Sequence, residues 1–589
     1  MAQSPNTQNE ASHQPYPWIA HYDEGVPATV EIPDKPLYTL LTDAAKAVGD
    51  RPALIFYGKK ISYAQLDDLS SRFARSLKKI GITKGDRVAI CLPNTPQYPI
   101  AFFGALKAGA VVVSTNPLYT VSEMRHQLTD SGAKAIITLD ILFPVVKEAR
   151  NTTSIEKVII TAVKEYLPFP LSALYPIKQA QEQRGKPVVS MKEMKQDSQI
   201  VFLQDLLNTG GASVNGNEDE FADPAFSPNE LAVLQYTGGT TGVAKGAMLT
   251  QRNLMANTLM CAAWIRFPRY SVHSTLAVAP FFHVYGLTVG LLTSMWGGSS
   301  CVLLPRFVPK DVVSAIERYR TDVFPGIPTM YIAISRYIEK RGKGDISSVR
   351  VCLSGAAPLL HEVQERFERL SGARVAEGYG LTETSPVTHA NPLFGDRRIG
   401  TIGVPYPSTA AKVIDPVTGD DMPLGEAGEL AIFGPQVMKG YWNRPDETAK
   451  VFQNGWLKTG DIATMNSDGY FTIVDRAKDI IIAGGYNIYP REVEETLAKH
   501  PAVRECVVVG VPDAYRGETV RAYIVLKDGA HATPDEIIAF CQQDLAKYKV
   551  PKQVFFRKEL PKSLIGKVLR RELREEAIAE AAKQKQNPS

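Results

Sequence analysis

Short apolar runs alternate with amphipathic segments between about residues 37 and 233, and this alternation restricts the fold more than any other feature. Residues 87–92, 109–113 and 135–139 are strand-like apolar runs, whereas residues 63–80 carry apolar side chains every three or four positions. Strand, helix and strand at this spacing predict βαβ units and a largely parallel sheet. The pattern resumes over residues 276–351. The sequence therefore predicts an α/β fold of layered sheets.

The pattern changes after Gly400, where strands become shorter and Gly and Pro turns become frequent, as in a small β-rich subdomain. Near Asp475 a new module begins, with helices predicted over 490–500 and 534–546 and strands over 506–511 and 521–526. We therefore expect four regions: a polar, disordered N-terminus (1–30), a large domain (31–475, with 400–475 β-rich), a small C-terminal α+β domain (476–575) and a tail (576–589).

Composition excludes several classes of protein. The chain has 589 residues and a formal net charge of +4, without a block of Lys and Arg, which argues against nucleic acid as a partner. The six cysteines are scattered and typical of buried positions in a reducing compartment. Residues 274–305 carry no charged side chain, but Pro280 and Gly286 interrupt them, so we interpret them as buried strand and helix. No secretory signal is recognisable, and a cytoplasmic protein is expected.

Residues 236–246 combine four glycines, three threonines and one lysine directly after an apolar run. Glycines let backbone N–H groups turn toward a ligand, hydroxyls add donors and the lysine adds a cation, which together suit a polyphosphate. The order differs from the Walker loop, because Lys245 is followed by Gly246, and the spacing of the dinucleotide fingerprint is also absent. An ordinary surface loop is the alternative for this segment taken alone.

Later motifs complement this loop. The small residues 355–357 follow a predicted strand and either leave room for an adenine ring or form a tight turn. In residues 377–386, glycines flank Tyr379 and leave its ring free to stack, while Glu383 is a hard oxygen ligand suited to Mg²⁺. Asp461 and Arg476 together suit the two hydroxyls of a ribose, although separately they would be a turn residue and a surface charge.

Together these motifs resemble those of the adenylate-forming family, which includes acyl-CoA synthetases, firefly luciferase and the adenylation domains of peptide synthetases. The resemblance extends from about residue 37 to residue 573, and the closest likeness is to bacterial long-chain fatty acid–CoA ligases. Residues 454–478 resemble the signature of fatty acyl-CoA synthetases. Asp479 departs from the pattern, since several relatives have a second basic residue there.

The resemblance implies a role for each motif. The loop would clasp the β- and γ-phosphates of ATP, Glu383 the Mg²⁺, Tyr379 the adenine, and Asp461 and Arg476 the ribose. Lys567, in a segment that resembles the C-terminal lysine motif, would meet the carboxylate and the α-phosphate. The implied nucleotide-binding residues are Thr237, Gly238, Gly239, Thr240, Thr241, Gly242, Lys245, Gly355, Ala356, Ala357, Glu377, Gly378, Tyr379, Gly380, Thr382, Asp461, Arg476 and Lys567. The implied catalytic residues are Lys567, Glu383, Thr237 and His283.

Two half-reactions follow from the resemblance. A fatty carboxylate attacks the α-phosphate of ATP to give acyl-AMP and pyrophosphate, and coenzyme A then displaces AMP to give acyl-CoA. The small domain is implied to turn about Lys478 between the steps. This rotation would exchange Lys567 for a coenzyme A loop that contains Gly484, Gly485 and Tyr486.

The acyl substrate is inferred from residues 280–286, which are aromatic and apolar. Relatives that activate amino acids carry an aspartate in this neighbourhood, and a buried ammonium without such a partner would be costly. A plain carboxylate with an apolar tail is therefore favoured, with Phe282, His283 and Tyr285 as candidate acyl contacts. His283 either gates the acyl tunnel or touches the carboxylate, or it is structural. Long chain length rests on the resemblance, and a medium-chain or aryl acid is the near competitor.

Several alternatives stay open at this point. A luciferase-like oxygenase would act on acyl-AMP without coenzyme A, and a nucleotide- or lipid-binding regulator would not turn over. Residues 163–190 form either a surface insertion or a peripheral contact with the inner face of the cell membrane. A homodimer is one option for the assembly.

Overall fold

The computed structural model describes residues 16–185, 187–211, 220–237, 244–476, 479–483, 486–513, 516–562 and 568–586. The predicted α/β class is confirmed, with parallel-sheet layers in a large N-terminal part, a β-rich subdomain and a C-terminal domain.

The strands are β1 (Pro52–Phe56), β2 (Lys59–Ser62), β3 (Arg87–Cys91), β4 (Val111–Ser114), β5 (Ala135–Leu139), β6 (Lys157–Thr161), β7 (Ile200–Phe202), β8 (Leu231–Thr237), β9 (Lys245–Thr250), β10 (Ser274–Ala277), β11 (Ser300–Leu303), β12 (Val323–Gly326), β13 (Val351–Ser354), β14 (Arg374–Gly380), β15 (Val387–Ala390), β16 (Val404–Pro405), β17 (Ala410–Ile414), β18 (Gly428–Phe433), β19 (Phe452–Gln453), β20 (Trp456–Met465), β21 (Phe471–Arg476), β22 (Ile481–Ala483), β23 (Tyr486–Ile488), β24 (Val503–Asp513), β25 (Gly517–Leu526) and β26 (Gln553–Phe556).

The α-helices are α1 (Thr39–Val48), α2 (Tyr63–Lys79), α3 (Gln97–Lys107), α4 (Val121–Ser131), α5 (Phe143–Arg150), α6 (Leu171–Glu182), α7 (Met191–Gln196), α8 (Leu203–Thr209), α9 (Gln251–Ile265), α10 (Thr293–Gly297), α11 (Pro309–Tyr319), α12 (Pro328–Arg341), α13 (His361–Ser371), α14 (Pro445–Val451), α15 (Pro490–Ala498), α16 (Pro534–Asp544) and α17 (Arg570–Gln586). A π-helix covers Gly286–Leu292, and short 3₁₀ helices cover Pro17–His21, Asp140–Leu142, Val163–Tyr166 and Thr382–Thr384.

The first sheet has seven strands in the order β7-β6-β5-β3-β4-β8-β9, all parallel to their neighbours except β9, which forms an antiparallel hairpin with β8. Successive residues of a strand point to opposite faces of the sheet. Val88 and Ile90 accordingly join the core that also contains α2 and α3, whereas Ala89 and Cys91 join the core against α4 and α5. Both faces are therefore covered, which explains the uninterrupted apolar runs.

The second sheet has nine strands in the order β16-β15-β14-β13-β12-β10-β11-β1-β2, with a parallel centre and antiparallel edges. The core shared by the two sheets includes the wholly buried helix α3 and the π-helix. Helices α11, α12 and α13 pack in the core on the other side of the second sheet. The ends of β8, β13 and β14 thus carry three of the four predicted nucleotide motifs.

The π-helix begins where Gly286 lies close to the preceding turn. A Cβ at this position would come within 2.2 Å of the carbonyl oxygen of Pro280, so that only glycine fits. No helix among the described residues is long and apolar enough to span a membrane. The uncharged stretch 274–305 instead forms β10, the π-helix, α10 and β11 inside the two cores.

The remaining sheets belong to the later part of the chain. A five-stranded antiparallel sheet has the order β17-β18-β20-β19, with β21 also paired to β20. A second five-stranded sheet has the order β23-β22-β25-β24, with β26 parallel to β25. Helices α15 and α16 pack on one face of this last sheet, and α17 packs on the other face.

One guanidinium connects the last module to the strand before it. Arg570 Nη2 donates to both oxygens of Glu494 at 2.6 and 2.8 Å, and its Nη1 reaches Asp479 Oδ2 at 3.2 Å and Asp475 Oδ1 at 3.4 Å. Burial alone would lower the pKa of Arg570, but the three carboxylates outweigh it and raise the pKa. Glu494 and Asp475 are themselves partly or fully buried, and burial raises the pKa of each. Arg570 is therefore the cation that lets three carboxylates lie together.

We expect Arg570→Gln to destabilise the C-terminal module by about 3 kcal/mol, because breaking a buried ion pair leaves uncompensated charge. Hydrogen exchange of β24 and β25, followed by mass spectrometry, measures the loss. The neighbouring variant Arg571→Gln is the control, since Arg571 makes only an exposed ion pair one helical turn away with Glu575 at 2.6 Å. Equal protection in both variants would contradict a central role for Arg570.

Candidate active site

The two strands that flank the Gly/Thr-rich loop bring its ends together. Thr237 ends β8 and Lys245 begins β9, and the two residues are directly paired across the hairpin. Gly238, Gly239, Thr240, Thr241 and Gly242 lie outside the described residues. The hairpin therefore places a hydroxyl and an ammonium side by side at the base of the predicted phosphate loop.

Lys245 points toward a segment that the sequence analysis did not single out. Its Nζ donates to Glu447 Oε2 at 2.5 Å and lies 5.2 Å from the centre of the Tyr441 ring. The ion pairs with Lys245 and Lys450 lower the pKa of Glu447 to about 2. The segment that contains these residues, 440–447, is held against β9 by two backbone hydrogen bonds. They run from Met248 N to Gly440 O and from Trp442 N to Gly246 O, both at 2.8 Å.

Glu383 contacts the same tyrosine. It lies in a short 3₁₀ turn, and Tyr441 donates its hydroxyl to Glu383 Oε1 at 2.7 Å. Burial, and then the Glu383 carboxylate, raise the pKa of Tyr441, so the phenol stays protonated and donates. Lys245, Tyr441 and Glu383 therefore form one contiguous group at the mouth of the β8–β9 hairpin.

The turn around Glu383 leaves no room for a side chain at Gly380. A Cβ on Gly380 would lie 2.0 Å from the carbonyl oxygen of Pro386, so a larger residue cannot occupy this position. Thr382 accepts a backbone hydrogen bond from Ser385 at 3.4 Å, and Ser385 has a positive φ of 71°. Gly378 lies opposite Ala390 in the antiparallel pairing of β14 with β15. Gly380 thus serves the close packing of two strands, whereas a Cβ on Gly378 would meet its nearest atom only at 3.6 Å.

Asp461 is the centre of a second group, formed from three strands. Tyr379, near the end of β14, donates its hydroxyl to Asp461 Oδ2 at 2.6 Å, and Arg476 Nε contacts Asp461 Oδ1 at 3.0 Å. Asp461 and Arg476 face each other across the β20–β21 ladder. Burial and then Asp461 raise the pKa of Tyr379. Burial alone would lower the pKa of Arg476, but Asp461, Tyr379 and more distant carboxylates together raise it. A buried carboxylate is thereby held between one neutral and one cationic donor.

Glu377 precedes Tyr379 on the same strand and contrasts with Asp461. Its Oε1 accepts from Leu359 N at 3.3 Å, a weak hydrogen bond, and Arg491 of the C-terminal module acts on it only through its charge. Burial raises the pKa of Glu377 to about 7 despite both effects. Glu377 therefore changes its charge near neutral pH.

His389 lies directly opposite Tyr379 in the β14–β15 pairing, with the ring centres 6.0 Å apart. It is fully buried, and burial lowers its pKa to about 3, so the ring is neutral. Its Nδ1 shares a 2.9 Å hydrogen bond with Thr388 Oγ1, and within the described part of the chain its Nε2 has no partner. His389 therefore supports Tyr379 by packing rather than by charge.

Residues 355–357 connect the nucleotide motifs to the predicted acyl row. Gly355 lies over the Tyr285 ring, which a Cβ would approach to 3.3 Å, and Ala356 has a positive φ of 67°. The Tyr285 hydroxyl donates to Leu353 O at 2.7 Å at the end of β13. Ala357 follows in the same turn. Tyr285 is thus a buried support beneath this turn.

The other two acyl candidates follow from the same segment. The carbonyl of Phe282 accepts from Gln235 Nε2 at 2.8 Å, so this row is attached to β8 just before the phosphate loop. His283 Nδ1 accepts from Tyr285 N at 3.3 Å. Both side chains are half-buried. The apolar row therefore lies next to the predicted phosphate site.

Several predicted residues cannot be placed. Lys478, Gly484, Gly485 and Lys567 lie outside the described residues. Tyr486 begins β23, where it pairs with Ala483. The predicted hinge, coenzyme A loop and catalytic lysine stay predictions.

Sequence reasoning missed a second anchor of the phosphate hairpin. Asp130, at the end of α4, accepts from Tyr236 Oη at 2.7 Å and from Arg444 Nη2 at 2.6 Å, and its carbonyl accepts from Trp442 Nε1 at 3.1 Å. The aromatic pair Tyr441 and Trp442, just after a glycine, was the available signal. Asp130 itself gave none, since it is an ordinary helical aspartate in the sequence.

Comparisons with known proteins agree with this geometry. Residues 41–442 match the model of the AMP-binding enzyme family, and residues 492–567 match that of the AMP-binding enzyme C-terminal domain. A long-chain-fatty-acid–CoA ligase of Bacillus subtilis is 47% identical over 563 residues, which cover 95% of this chain and 98% of the relative.

Two solved structures show the same fold. ATP-bound MatB from Rhodopseudomonas palustris aligns with a TM-score of 0.76 and 30% identity, over 92% of this chain and 99% of that one. The anthranilate CoA ligase AuaEII in complex with anthranoyl-AMP aligns with a TM-score of 0.78 and 26% identity, over 94% and 99%. The chain belongs to the adenylate-forming family of AMP-binding enzymes.

Proposed function

We propose that this protein is an ATP-dependent long-chain fatty acid–CoA ligase. The observation that carries the proposal is the group in which Tyr379 and Arg476 hold the buried Asp461, beside the group of Lys245, Tyr441 and Glu383. The first group suits the nucleoside of ATP and the second suits its phosphates. The 47% identical relative from Bacillus subtilis, a long-chain-fatty-acid–CoA ligase by name, supports the acyl substrate.

The phosphates would be held by the loop that begins at Thr237 and contains Gly238, Gly239, Thr240, Thr241 and Gly242, with Lys245 at its end. Lys245 can exchange its partner Glu447 for a phosphate, because this ion pair is still reached by water, with 22% and 34% of the two side chains exposed. Backbone donors and a cation aimed at the transferred group stabilise charge as it develops in the transition state.

Magnesium fits Glu383 as a site shared with the substrate. One carboxylate oxygen accepts from Tyr441, which orients the other for a hard cation. Within the described residues no group of three His, Cys, Asp or Glu side chains could hold a metal, so water and phosphate oxygens would supply the remaining ligands. Magnesium, when bound, would neutralise part of the phosphate charge.

The nucleoside would lie against the Tyr379 ring and the turn of Gly355, Ala356 and Ala357. Asp461 would accept from the ribose hydroxyls, and Arg476 would hold the carboxylate in place through its 3.0 Å contact with Oδ1. Glu377, Gly378, Gly380 and Thr382 would shape the same wall. Each role matches a group whose position is fixed by strand pairing or by steric fit.

The fatty carboxylate would enter along Phe282 and His283, over the support of Tyr285. Attack on the α-phosphate forms the acyl–phosphate bond and expels pyrophosphate, and Lys567 would stabilise the charge between the two anions. The thiolate of coenzyme A would then form the thioester and release AMP. Gly484, Gly485 and Tyr486 would receive coenzyme A after the small domain turns about Lys478.

A medium-chain or aryl acid is the second candidate substrate, which the aromatic acid named for AuaEII favours. We also propose a cytoplasmic location and, from the resemblance alone, a homodimer. All six cysteines are free, and five are buried, which supports a reducing compartment.

The proposed activity is tested by measuring pyrophosphate and AMP release over a series of fatty acids, with and without coenzyme A. We expect AMP as the nucleotide product, turnover that requires coenzyme A, and a kcat/KM that is higher for long-chain than for medium-chain acids, since each buried CH₂ contributes roughly 0.8 kcal/mol. Release of ADP and phosphate, or no turnover with any acid, would overturn the proposal.

Lys567→Ala should abolish acyl-AMP formation and leave thioester formation from supplied acyl-AMP intact. The reason is that the lysine is required only where two anions meet. Rapid-quench assays of each half-reaction measure the two rates. Lys562→Ala is the matched control, because Lys562 pairs with Glu505 at 2.6 Å. Equal loss of both half-reactions in Lys567→Ala would refute the inference that this lysine is required only for acyl-AMP formation.

Tyr379→Phe should raise KM for ATP about tenfold, since one hydrogen bond to the Asp461 carboxylate is lost. Asp461→Asn should have a larger effect and lower kcat/KM for ATP by about a hundredfold. The amide N–H₂ of asparagine is itself a donor, so it cannot accept a hydrogen bond from a ribose hydroxyl. Steady-state kinetics with ATP as the varied substrate give both values. Tyr470→Phe is the control, whose hydroxyl instead bonds the carbonyl of Asp396. An unchanged KM in Tyr379→Phe would contradict a contribution of its hydroxyl to nucleotide binding.

Glu377 should make ATP binding depend on pH. Its pKa is raised to about 7, so it is neutral below that pH and anionic above it, where it repels the polyanion. We expect KM for ATP to rise from pH 6 to pH 8 in the wild type and to stay flat in Glu377→Gln, which mimics the neutral form. Glu362→Gln, at an exposed carboxylate, should keep the wild-type profile. Parallel profiles in all three proteins would remove Glu377 from the site.

A further inference from the structure

The N-terminal segment contacts two sheets that belong to different parts of the fold. It begins with the short 3₁₀ helix Pro17–His21 and continues to Val30, whose N–H donates to Ser408 Oγ at 2.9 Å. The carbonyl of Ala28 accepts from Ser408 N, also at 2.9 Å. We call residues 16–30 the strap.

The first part of the strap packs on the turn that joins β20 to β21. Trp18 is only 3% exposed, and its ring lies edge-on to Phe471, the first residue of β21, with the ring centres 6.2 Å apart. A Cβ on Gly469, in the turn itself, would lie 2.8 Å from the Cβ of Trp18, so only glycine allows this approach. His21 packs edge-on against Tyr470, at 5.3 Å between the ring centres. The strap therefore touches the tip of the β20–β21 hairpin directly.

The next residues of the strap are fixed to the second sheet. Tyr22 donates its hydroxyl to the carbonyl of Pro405, in β16, at 2.7 Å. Asp23 is 5% exposed, and its Oδ2 accepts from Leu393 N at 2.8 Å and from Phe394 N at 3.0 Å. Both amides belong to the segment that follows β15. The strap thus joins the edge of the second sheet to the tip of the hairpin.

The same hairpin carries two residues of the predicted nucleoside group. Asp461 and Arg476 face each other across β20 and β21, whereas their partner Tyr379 lies on β14 of the second sheet. The 2.6 Å hydrogen bond from Tyr379 to Asp461 therefore depends on how the hairpin lies against that sheet. A segment that is attached to both elements limits the tilt of the hairpin and fixes this geometry.

A chain of packed rings also connects the strap to this hydrogen bond. Phe471 lies between Trp18 and His389, with ring centres 6.2 and 4.8 Å away. His389 lies 6.0 Å from Tyr379, opposite it in the β14–β15 pairing. Protein interiors are close-packed and transmit strain. A void at Trp18 would therefore reach Tyr379 through two intervening rings.

Other contacts hold the tip of the hairpin as well, so the loss of Trp18 should shift this tip without unfolding it. Phe471 makes two backbone hydrogen bonds of 2.9 Å, one from its N to Gly403 O and one from Ile402 N to its own O. Arg398 pairs with Asp468 at 2.7 Å. Removal of the strap contact is therefore a change in position more than in folding.

We infer that the strap is a positioning element of the nucleoside site, with Trp18 as its central residue. This role rests on the proposed nucleotide site. Trp18 acts through Phe471 and the hairpin, and not by contact with the nucleotide, because two rings separate it from Tyr379.

Isothermal titration calorimetry of the full chain with AMP tests the inference. Trp18→Ala should raise Kd for AMP about tenfold, a typical coupling between distinct sites. KM for ATP should rise by a similar factor, whereas KM for the fatty acid should stay unchanged. Trp18→Phe keeps a ring against Phe471 and should restore most of the affinity. Tyr16→Ala is the control in the same segment, since Tyr16 stacks on Trp18 but is 44% exposed, and it should bind AMP as the wild type does.

A merely structural role of Trp18 would give a different result. Lower stability reduces the fraction of folded protein, and thus the binding stoichiometry and kcat, but it leaves Kd of the folded fraction unchanged. Ile316→Ala provides this reference, because it removes a fully buried side chain from α11, on the other side of the second sheet. An unchanged Kd in Trp18→Ala, or an equal rise in Ile316→Ala, overturns the inference. No AMP binding by the wild type would overturn the proposed nucleotide site, and the positioning role with it.

The reverse effect is measured by hydrogen exchange and mass spectrometry. Coupling between two sites is reciprocal, so bound AMP must also stabilise the strap. Saturating AMP should slow the exchange of residues 17–23 in the wild type more than that of α5, which packs on the first sheet. Equal slowing in both segments, or none in residues 17–23, overturns the inference.

Discussion

The Asp461 carboxylate is the constraint on which the rest of this site depends. A carboxylate buried to this extent is stable only when charged or hydrogen-bonding partners replace the lost water. Its partners come from different parts of the chain, Tyr379 from the second sheet and Arg476 from the strand beside it. Asp461 and Arg476 lie on paired strands of the β-rich subdomain, whereas Tyr379 lies on β14 of the second sheet. The site therefore forms only when both sheets have folded and met.

In the group of Lys245, Tyr441 and Glu383, the side chains differ in how firmly they are held. Lys245 is paired with the half-buried Glu447, and a single ion pair that water still reaches contributes little. Tyr441, in contrast, is fixed by the backbone bonds between its segment and β9 and by its hydrogen bond to Glu383. One part of the site is therefore rigid and the other is easily exchanged. This combination suits ATP, which carries several negative charges and would leave first as pyrophosphate and then as AMP.

Much of the fold could be predicted because buried strands and amphipathic helices leave a periodic pattern in the sequence. The predicted helix at 63–80 is Tyr63–Lys79, and the strand at 135–139 is Ala135–Leu139. Predicted bounds were less accurate in the C-terminal module, where the strand at 506–511 extends over Val503–Asp513. The π-helix was not predicted, and the close approach of Gly286 to Pro280 at its start is a contact that no sequence period encodes.

The candidate site was predictable only where its residues form local motifs. Asp130 and Arg444 are separated by 314 residues and meet through the fold. Glu447 and Arg570 are likewise ordinary charges in the sequence, and only their partners give them a role. Nothing in the immediate surroundings of such residues distinguishes them from solvated surface charges.

Arg570 shows how the two modules can be tied and still turn. The proposed hinge at Lys478 lies between Asp475 on one side and Asp479 and Glu494 on the other. The shortest contacts of Arg570, at 2.6 and 2.8 Å, are with Glu494, and the longest, at 3.4 Å, is with Asp475. A rotation about the hinge would therefore break the longest Arg570 contact, together with the 2.7 Å hydrogen bond from Arg491 N to Asp475 Oδ2 and the 2.9 Å hydrogen bond from Arg491 Nη1 to Ile473 O. Because the other two carboxylates would travel with Arg570, that cation would stay paired, and Asp475 would keep the 2.7 Å hydrogen bond from Arg476 N.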